Sequence, residues 1–147
     1  MHLLSYKGRA LPLAWRVRQG PKGHFPEALH LALVNLRRAC LPEGTPVVLL
    51  GDGACDGTML QQTLHEAGWR SACRTARSTV AMWEGATFCL DTLGACSQPG
   101  TLIELKEVKS TRDAYGPVMV LSCWAKGYHE PLSIVRNMEA AEEACRY

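Results

Sequence analysis

The sequence predicts an α/β fold whose second half is rich in β-strands. Residues 47–50 are all apolar and lie between turn-forming residues, which is typical of a strand covered on both faces. Residues 27–40 and 58–67 place apolar side chains at helical spacing. After residue 78, short strand-like runs alternate with turns that contain Gly or Pro, which favours antiparallel pairing.

The first forty residues are predicted to form a hairpin followed by a helix. Apolar residues alternate with others on both sides of Gly8, which favours two short strands joined by a tight turn. A loop rich in Gly and Pro follows over residues 19–26. The helix over residues 27–40 has Pro26 beside its first turn, and it ends before Pro42.

A strand–helix–strand unit is predicted at the centre of the chain. The strand over residues 47–50 is followed by Gly51 and Asp52, a helix spans residues 58–67, and the next strand spans residues 69–75. We expect these strands and the hairpin to share one sheet. At the carboxyl end of a strand in such a sheet, Asp52 would point into an open crevice, where α/β proteins bind ligands.

The chain after residue 78 is predicted to be an antiparallel meander of about five strands. The runs that indicate these strands are residues 80–83, 86–93, 102–108, 118–124 and 132–135. Because only residues 76–79 separate this part from the preceding one, we expect an inserted β-rich subdomain that packs on the main sheet. Residues 139–145 are predicted to begin a further helix.

Composition indicates an ordinary globular protein. Of the 147 residues, 47% are hydrophobic and 20% are charged, which excludes disordered and collagen-like classes. No apolar run approaches the roughly 20 residues of a membrane span, and the amino terminus lacks signal-peptide features, so we expect a cytoplasmic protein with no membrane partner. Seven cysteines without a C-x-x-C pair predict reduced, mostly buried thiols.

The positive charge is unevenly distributed although the net charge is only +2. Residues 1–40 contain a surplus of six positive charges, because seven basic residues accompany one acid: Lys7, Arg9, Arg16, Arg18, Lys22, Arg37 and Arg38 against Glu27. A second basic cluster consists of Arg70, Arg74 and Arg77. Such clusters are compatible with phosphate contacts, and equally with a solvated basic surface.

Five segments that together span most of the chain carry a resemblance to a known family. They are Tyr-Lys-Gly-Arg-Ala-Leu-Pro-Leu-Ala-Trp (6–15), Leu-Leu-Gly-Asp-Gly-Ala-Cys-Asp-Gly (49–57), Ala-Gly-Trp-Arg-Ser-Ala-Cys-Arg-Thr-Ala (67–76), Trp-Ala-Lys-Gly-Tyr (124–128) and Ala-Glu-Glu-Ala-Cys-Arg-Tyr (141–147). With these segments the sequence resembles the catalytic domain of bacterial insertion-sequence transposases with a DDE triad, of the type-four insertion-sequence family.

The resemblance implies an incomplete RNase H-like mixed sheet with helices and an inserted antiparallel subdomain. Residues 1–77 would be a partial core that lacks the first strand, residues 78–138 the β-rich insertion, and residues 139–147 the start of the C-terminal catalytic helix. In this family three carboxylates hold two Mg²⁺ or Mn²⁺ ions about 3.5–4 Å apart. Asp52 matches the second of these acids, so the resemblance makes it a catalytic residue and a metal ligand.

DNA at the transposon ends is the partner that the resemblance implies. Arg74 and Arg77 follow the strand next to Asp52 and would contact phosphates, with a solvated surface as the equally weighted alternative. Trp83 and Trp124 lie in the insertion, where related transposases stack an aromatic side chain on a flipped base. Core packing is the favoured alternative for both tryptophans.

Only one of the three family acids has a counterpart in this sequence. The first acid belongs to a strand before the position of Met1, and the third belongs to a Tyr-x-x-Arg-x-x-x-Glu-x-x-x-x-x-x-Lys helix beyond Tyr147. We therefore expect this chain alone to be inactive as a transposase. A missing first strand would also expose a strand edge, which predicts association with itself or with full-length transposase.

Two other functions stay open. The chain could be a non-catalytic transposase remnant that binds DNA or interferes with the full-length enzyme. It could also be a small metal-dependent phosphohydrolase that uses Asp52 and Asp56, which are four residues apart. Asp56 is interpreted first as the cap of the helix that starts at Thr58, and the β-rich second half argues against the phosphohydrolase.

Overall fold

A computed structural model describes residues 2–6, 9–15, 17, 19 and 25–138 of the chain. The chain divides into two units, Met1–Pro46 and Val47–Tyr147. The helices and strands, in chain order, are β1 (His2–Tyr6), β2 (Arg9–Ala14), α1 (Glu27–Cys40), β3 (Val48–Gly51), α2 (Thr58–Glu66), β4 (Arg70–Arg74), β5 (Val80–Trp83), β6 (Ala86–Cys89), α3 (Leu90–Ala95), β7 (Leu102–Ser110), β8 (Tyr115–Cys123) and β9 (Leu132–Arg136).

The first unit contains the predicted hairpin and helix. Strands β1 and β2 pair antiparallel, with Tyr6 opposite Arg9, while the predicted turn at Gly8 lies outside the described residues. Helix α1 has the predicted bounds, and the Leu41 N–H donates to the Arg37 carbonyl oxygen at 3.0 Å at its end. The expectation of one shared sheet is wrong, because β1 and β2 form a separate two-stranded sheet. Apolar alternation specifies strands but not their partners.

The second unit is built on one mixed sheet of seven strands in the order β3-β4-β9-β8-β7-β5-β6. Strands β3 and β4 are parallel, and all other neighbours in this sheet are antiparallel. The predicted α/β class and the antiparallel pairing of the second half are therefore confirmed. The strands on either side of residue 77 belong to the same sheet, and the boundary placed there stays a prediction.

Buried apolar side chains in the second unit come from helices α2 and α3 as well as from the strands of the sheet. Leu60 and Leu64 of α2 are almost completely buried. The central cluster of buried residues comprises Ala81, Leu90, Leu105, Val108, Val118, Val120 and Val135. This cluster contains residues of strands β5, β7, β8 and β9 and of the start of α3, so these elements share one hydrophobic core.

The strand predicted over residues 86–93 is wrong in its second half. Strand β6 ends at Cys89, and residues 90–95 form helix α3. Leu90 is 1% exposed and Leu93 packs against the same core cluster, a spacing of three residues that suits one face of a helix. Short apolar runs do not distinguish a strand from a buried helical turn. The helix predicted from residue 139 lies outside the described residues.

The expectation of mostly buried thiols is also wrong. Among the described cysteines only Cys73 is buried, Cys55 and Cys123 are half-buried, and Cys40, Cys89 and Cys96 are exposed. No disulfide joins any two of these six residues. Over the same described ranges, none of the helices combines the length and the apolar character that crossing a membrane requires.

Candidate functional site

The segment β3–α2–β4 places Asp52 at the edge of the sheet where the carboxyl ends of β3 and β4 lie. Gly51, the last residue of β3, lies opposite Cys73 in the parallel pair. The next residues along the two strands are Asp52 and Arg74, so they follow at the same level. Since β3 and β4 are parallel, both carboxyl ends open at this edge, as the sequence predicted for Asp52.

The Asp52 side chain is exposed and accepts a single hydrogen bond from the described residues. Its Oδ1 atom accepts a hydrogen bond from the Ala54 N–H at 3.3 Å, and its carbonyl oxygen accepts one from the Cys55 N–H at 2.9 Å. These bonds shape a turn after β3, typical of aspartate. Among the described residues the carboxylate makes no other hydrogen bond or ion pair, so one oxygen remains available to a ligand.

Asp56 does not cap α2 as predicted. The residue before the helix is Gly57, and no side chain caps the first turn. Instead the Asp56 Oδ2 atom accepts a hydrogen bond from Thr75 Oγ1 at 2.6 Å, and Thr75 Oγ1 lies 3.0 Å from Thr79 Oγ1. Asp56 comes one residue too early for the cap position, and its carboxylate fastens the loop to the end of β4 instead.

The acids at this edge do not fit a two-metal centre by themselves. Nowhere in the described ranges do three side chains of His, Cys, Asp or Glu come together in a way that could hold a metal ion. Asp52 offers one carboxylate, and Asp56 is engaged by a threonine hydroxyl. Because Mg²⁺ needs near-octahedral oxygen coordination, these residues support no metal-dependent step without further ligands.

The two predicted arginines have different surroundings. Arg74 is exposed, and its side chain makes no hydrogen bond or ion pair with the described residues, so its charge is available to an anion. Arg77 Nε donates to Asp91 Oδ1 at 2.7 Å and Arg77 Nη1 donates to Glu130 Oε2 at 2.7 Å. The hydrogen bond to Asp91 is the main reason that the pKa of Arg77 is raised. Two carboxylates compensate its charge, which favours a structural role over a phosphate contact.

The two predicted tryptophans lie at the ends of β5 and β8, and neither strand is next to β3. Trp83 ends β5, five strand positions from β3, which is roughly 24 Å at a strand spacing of about 4.8 Å. It is half-buried and packs against the core cluster. Trp124 follows β8, and its Nε1 donates to the Tyr128 carbonyl oxygen at 2.9 Å, which closes a turn. The environment of Trp83 favours the packing alternative, whereas the Trp124 contact is a turn contact and leaves both alternatives open.

A buried network behind Asp52 was not predicted. Gln61 Nε2 donates to the Cys55 carbonyl oxygen at 2.9 Å and to Cys73 Sγ at 3.3 Å. Its Oε1 accepts from Ser71 Oγ at 2.7 Å. Gln61 is 3% exposed, and burial raises the pKa of the Cys73 thiol to about 12. The available signal was a glutamine between the apolar positions Leu60 and Leu64.

A buried ion pair links two strands of the sheet. Arg136 of β9 is fully buried, and its Nη2 donates to Glu104 Oε1 on β7 at 2.8 Å. Strand β8 lies between them, so the guanidinium group reaches across one strand. Glu104 also lines a cleft of about 560 Å³ together with Trp83, Glu84, Lys106 and Glu107.

Comparison with known proteins returns no relative. No protein-family model, curated protein or solved structure matches this chain. The resemblance to DDE transposases therefore rests on the five sequence segments, and the function that it implies is a proposal.

Proposed function

We propose that this chain carries part of the RNase H-like catalytic domain of a DDE-type insertion-sequence transposase. The observation that supports the proposal is the exposed Asp52 carboxylate at the carboxyl end of β3, beside a parallel strand that the helix α2 connects to it. Open α/β sheets bind their ligands at this place.

The proposal gives Asp52 and Arg74 different roles. The Asp52 carboxylate would be one oxygen ligand of Mg²⁺ or Mn²⁺, hard ions that prefer oxygen. Arg74 is exposed at the same strand ends, and it would contact the phosphate backbone of DNA. When bound, the metal pair supplies an ionised nucleophile and stabilises the leaving oxygen. One carboxylate does not hold such a pair.

The 147-residue chain is therefore expected to lack strand-cleavage activity. Purified protein with Mg²⁺ or Mn²⁺ and DNA that carries insertion-sequence ends should give no cleavage above the protein-free background. The Asp52→Asn variant should behave identically, because one carboxylate does not hold the metal pair that cleavage would need. Gel analysis of end-labelled DNA measures both. Cleavage that disappears in Asp52→Asn would contradict the expected inactivity.

A positive test uses the DNA that flanks the coding sequence. We expect it to encode an aspartate-bearing strand upstream and a Tyr-x-x-Arg-x-x-x-Glu segment downstream, in frame or after a frameshift. A chain extended with these segments should cleave DNA, and Asp52→Asn should reduce its rate at least about 100-fold, since even outer-shell residues of metal sites contribute 10–100-fold. Asp56→Asn is the matched control, because an amide oxygen still accepts the Thr75 hydrogen bond.

Other outcomes would replace the proposal. Ordinary gene boundaries without either flanking segment would overturn the assignment to a transposase. Hydrolysis of a generic phosphate ester that is lost in Asp56→Ala would support the phosphohydrolase instead. Binding of transposon-end DNA without cleavage by the extended chain would support the non-catalytic remnant.

A further inference from the structure

We propose that Cys55 and Cys73 form a modification site, at which a peroxide oxidises the two thiols to a disulfide. The bond would fasten the loop that carries Asp52 to strand β4. This inference concerns the chemistry of two sulfur atoms, and it does not rest on the proposed function.

Gly51 brings the two sulfur atoms together because it has no side chain. The Cys73 Sγ atom lies 2.9 Å, and the Cys55 Sγ atom 3.1 Å, from the position that a Cβ atom on Gly51 would occupy. Both sulfur atoms therefore border the same small space, and no side chain of residue 51 separates them. Cys73 belongs to β4 and Cys55 to the loop after β3, so a bond between them would join two segments of the site.

The two thiols differ in access to solvent. Cys73 is completely buried, whereas Cys55 is half-buried in the loop. A small oxidant therefore reaches Cys55 first. Gln61 donates to both the Cys55 carbonyl oxygen and Cys73 Sγ, so one amide group contacts both cysteine residues. The loop turn at Asp52 and Gly53 is exposed, and disulfide formation requires the loop to bring the two sulfur atoms to about 2.05 Å from each other.

The reaction balances with one peroxide molecule. The Cys55 sulfur attacks a peroxide oxygen, an S–O bond forms, the O–O bond breaks, and water leaves as the peroxide is reduced. The Cys73 sulfur then attacks Cys55 Sγ, an S–S bond forms and the S–O bond breaks. The Cys73 proton leaves with the hydroxide as a second water. Two thiols and one hydrogen peroxide thus give one disulfide and two waters.

Disulfide formation in the folded chain is expected to accelerate with pH from about 7 to 10 without levelling off. Burial is the main cause of the raised pKa of Cys73, and the charge of Asp56 raises this pKa further, whereas the hydrogen bond from Gln61 lowers it. Because the pKa of Cys73 lies at about 12, its thiolate fraction rises throughout this range. A plateau near the ordinary cysteine pKa of about 8.5 would contradict attack by the buried thiol.

The deciding experiment is peptide mapping after treatment with hydrogen peroxide. The folded 147-residue chain is oxidised, its remaining thiols are alkylated, and it is digested without reduction by trypsin and a glutamate-specific protease. Cleavage after Glu43 separates Cys40 from Cys55, so the expected product is a linked pair of peptides 44–66 and 71–74. Reduction should release both peptides.

Variants and a denatured control decide the result. Cys55→Ser and Cys73→Ser should each abolish the linked pair, whereas Cys123→Ser should leave it unchanged. Chain oxidised in guanidinium chloride should lose the preference for this pairing, because its cysteines are no longer held together. Oxidation of Cys55 alone with Cys73 still alkylatable after unfolding, or equal linkage in the folded and denatured chains, would overturn the proposal.

Discussion

The Glu104→Ala variant is expected to have a free energy of unfolding about 3 kcal/mol lower than the wild type. Arg136 is completely buried, and Glu104 Oε1 accepts a hydrogen bond from its Nη2 at 2.8 Å. Loss of one partner of a buried ion pair costs about 3–5 kcal/mol, because a charge stays buried without its counter-charge. The lower end applies here, since the Glu104 side chain is 24% exposed. Urea denaturation measures the difference.

Two further variants distinguish whether the loss of stability comes from the buried charge or from altered packing. Replacing both partners by apolar residues of similar size, as in Arg136→Met with Glu104→Leu, should restore most of the stability, because no charge is then buried. Lys109→Ala, an exposed position on the same strand, should change stability by less than about 0.5 kcal/mol. If the double variant is as unstable as Glu104→Ala, the loss comes from packing and not from the buried charge.

The Gly51→Ala variant is expected to lose about 1–3 kcal/mol of stability, the usual cost of overfilling a packed site. A Cβ atom on residue 51 would overlap the Cβ atom of Cys55 and would lie 2.9 Å from Cys73 Sγ. The Cβ atom of Cys55 is attached directly to the backbone and Cys73 is completely buried, so the loop or strand β4 has to shift. Thermal or urea unfolding of the variant measures the loss.

Gly53→Ala is the matched control for this prediction. It lies two residues further along the same turn, and a Cβ atom there would meet nothing within 4 Å. Its stability should stay the same or rise by up to about 1 kcal/mol, because alanine reduces the freedom of the unfolded chain. Wild-type stability of Gly51→Ala would mean that the Cys55 and Cys73 sulfur atoms are not neighbours, and the proposed disulfide would lose its geometric basis.

Local patterns were enough to predict most helices and strands. The bounds of α1 and β5 are those that apolar spacing predicted, and the central strand and α2 differ by about one residue. Asp52 was placed correctly at a strand end because Gly51 and the turn formers after it interrupt a short apolar run. Such features depend on neighbours in sequence, where periodicity and turn chemistry act.

Long-range contacts decided the features of the fold and of the site that local patterns did not predict. The sequence did not reveal that β1 and β2 form a separate sheet, that Asp56 binds Thr75, or that Arg136 reaches Glu104 across β8. Each depends on which distant segments of the chain pair with one another and which do not, and that follows from packing beyond the local sequence.

The difference between what local sequence patterns determine and what long-range contacts determine is clearest at the edge of the sheet that carries Asp52. The sequence by itself determined a strand, a turn and an exposed acid, because these follow from a few consecutive residues. Only the tertiary structure decided what surrounds that acid: Arg74 at the same level on β4, Gln61 beneath the loop, and two sulfur atoms beside Gly51. The physical reason is that parallel pairing of β3 with β4 brings together residues about twenty positions apart, which no local pattern records.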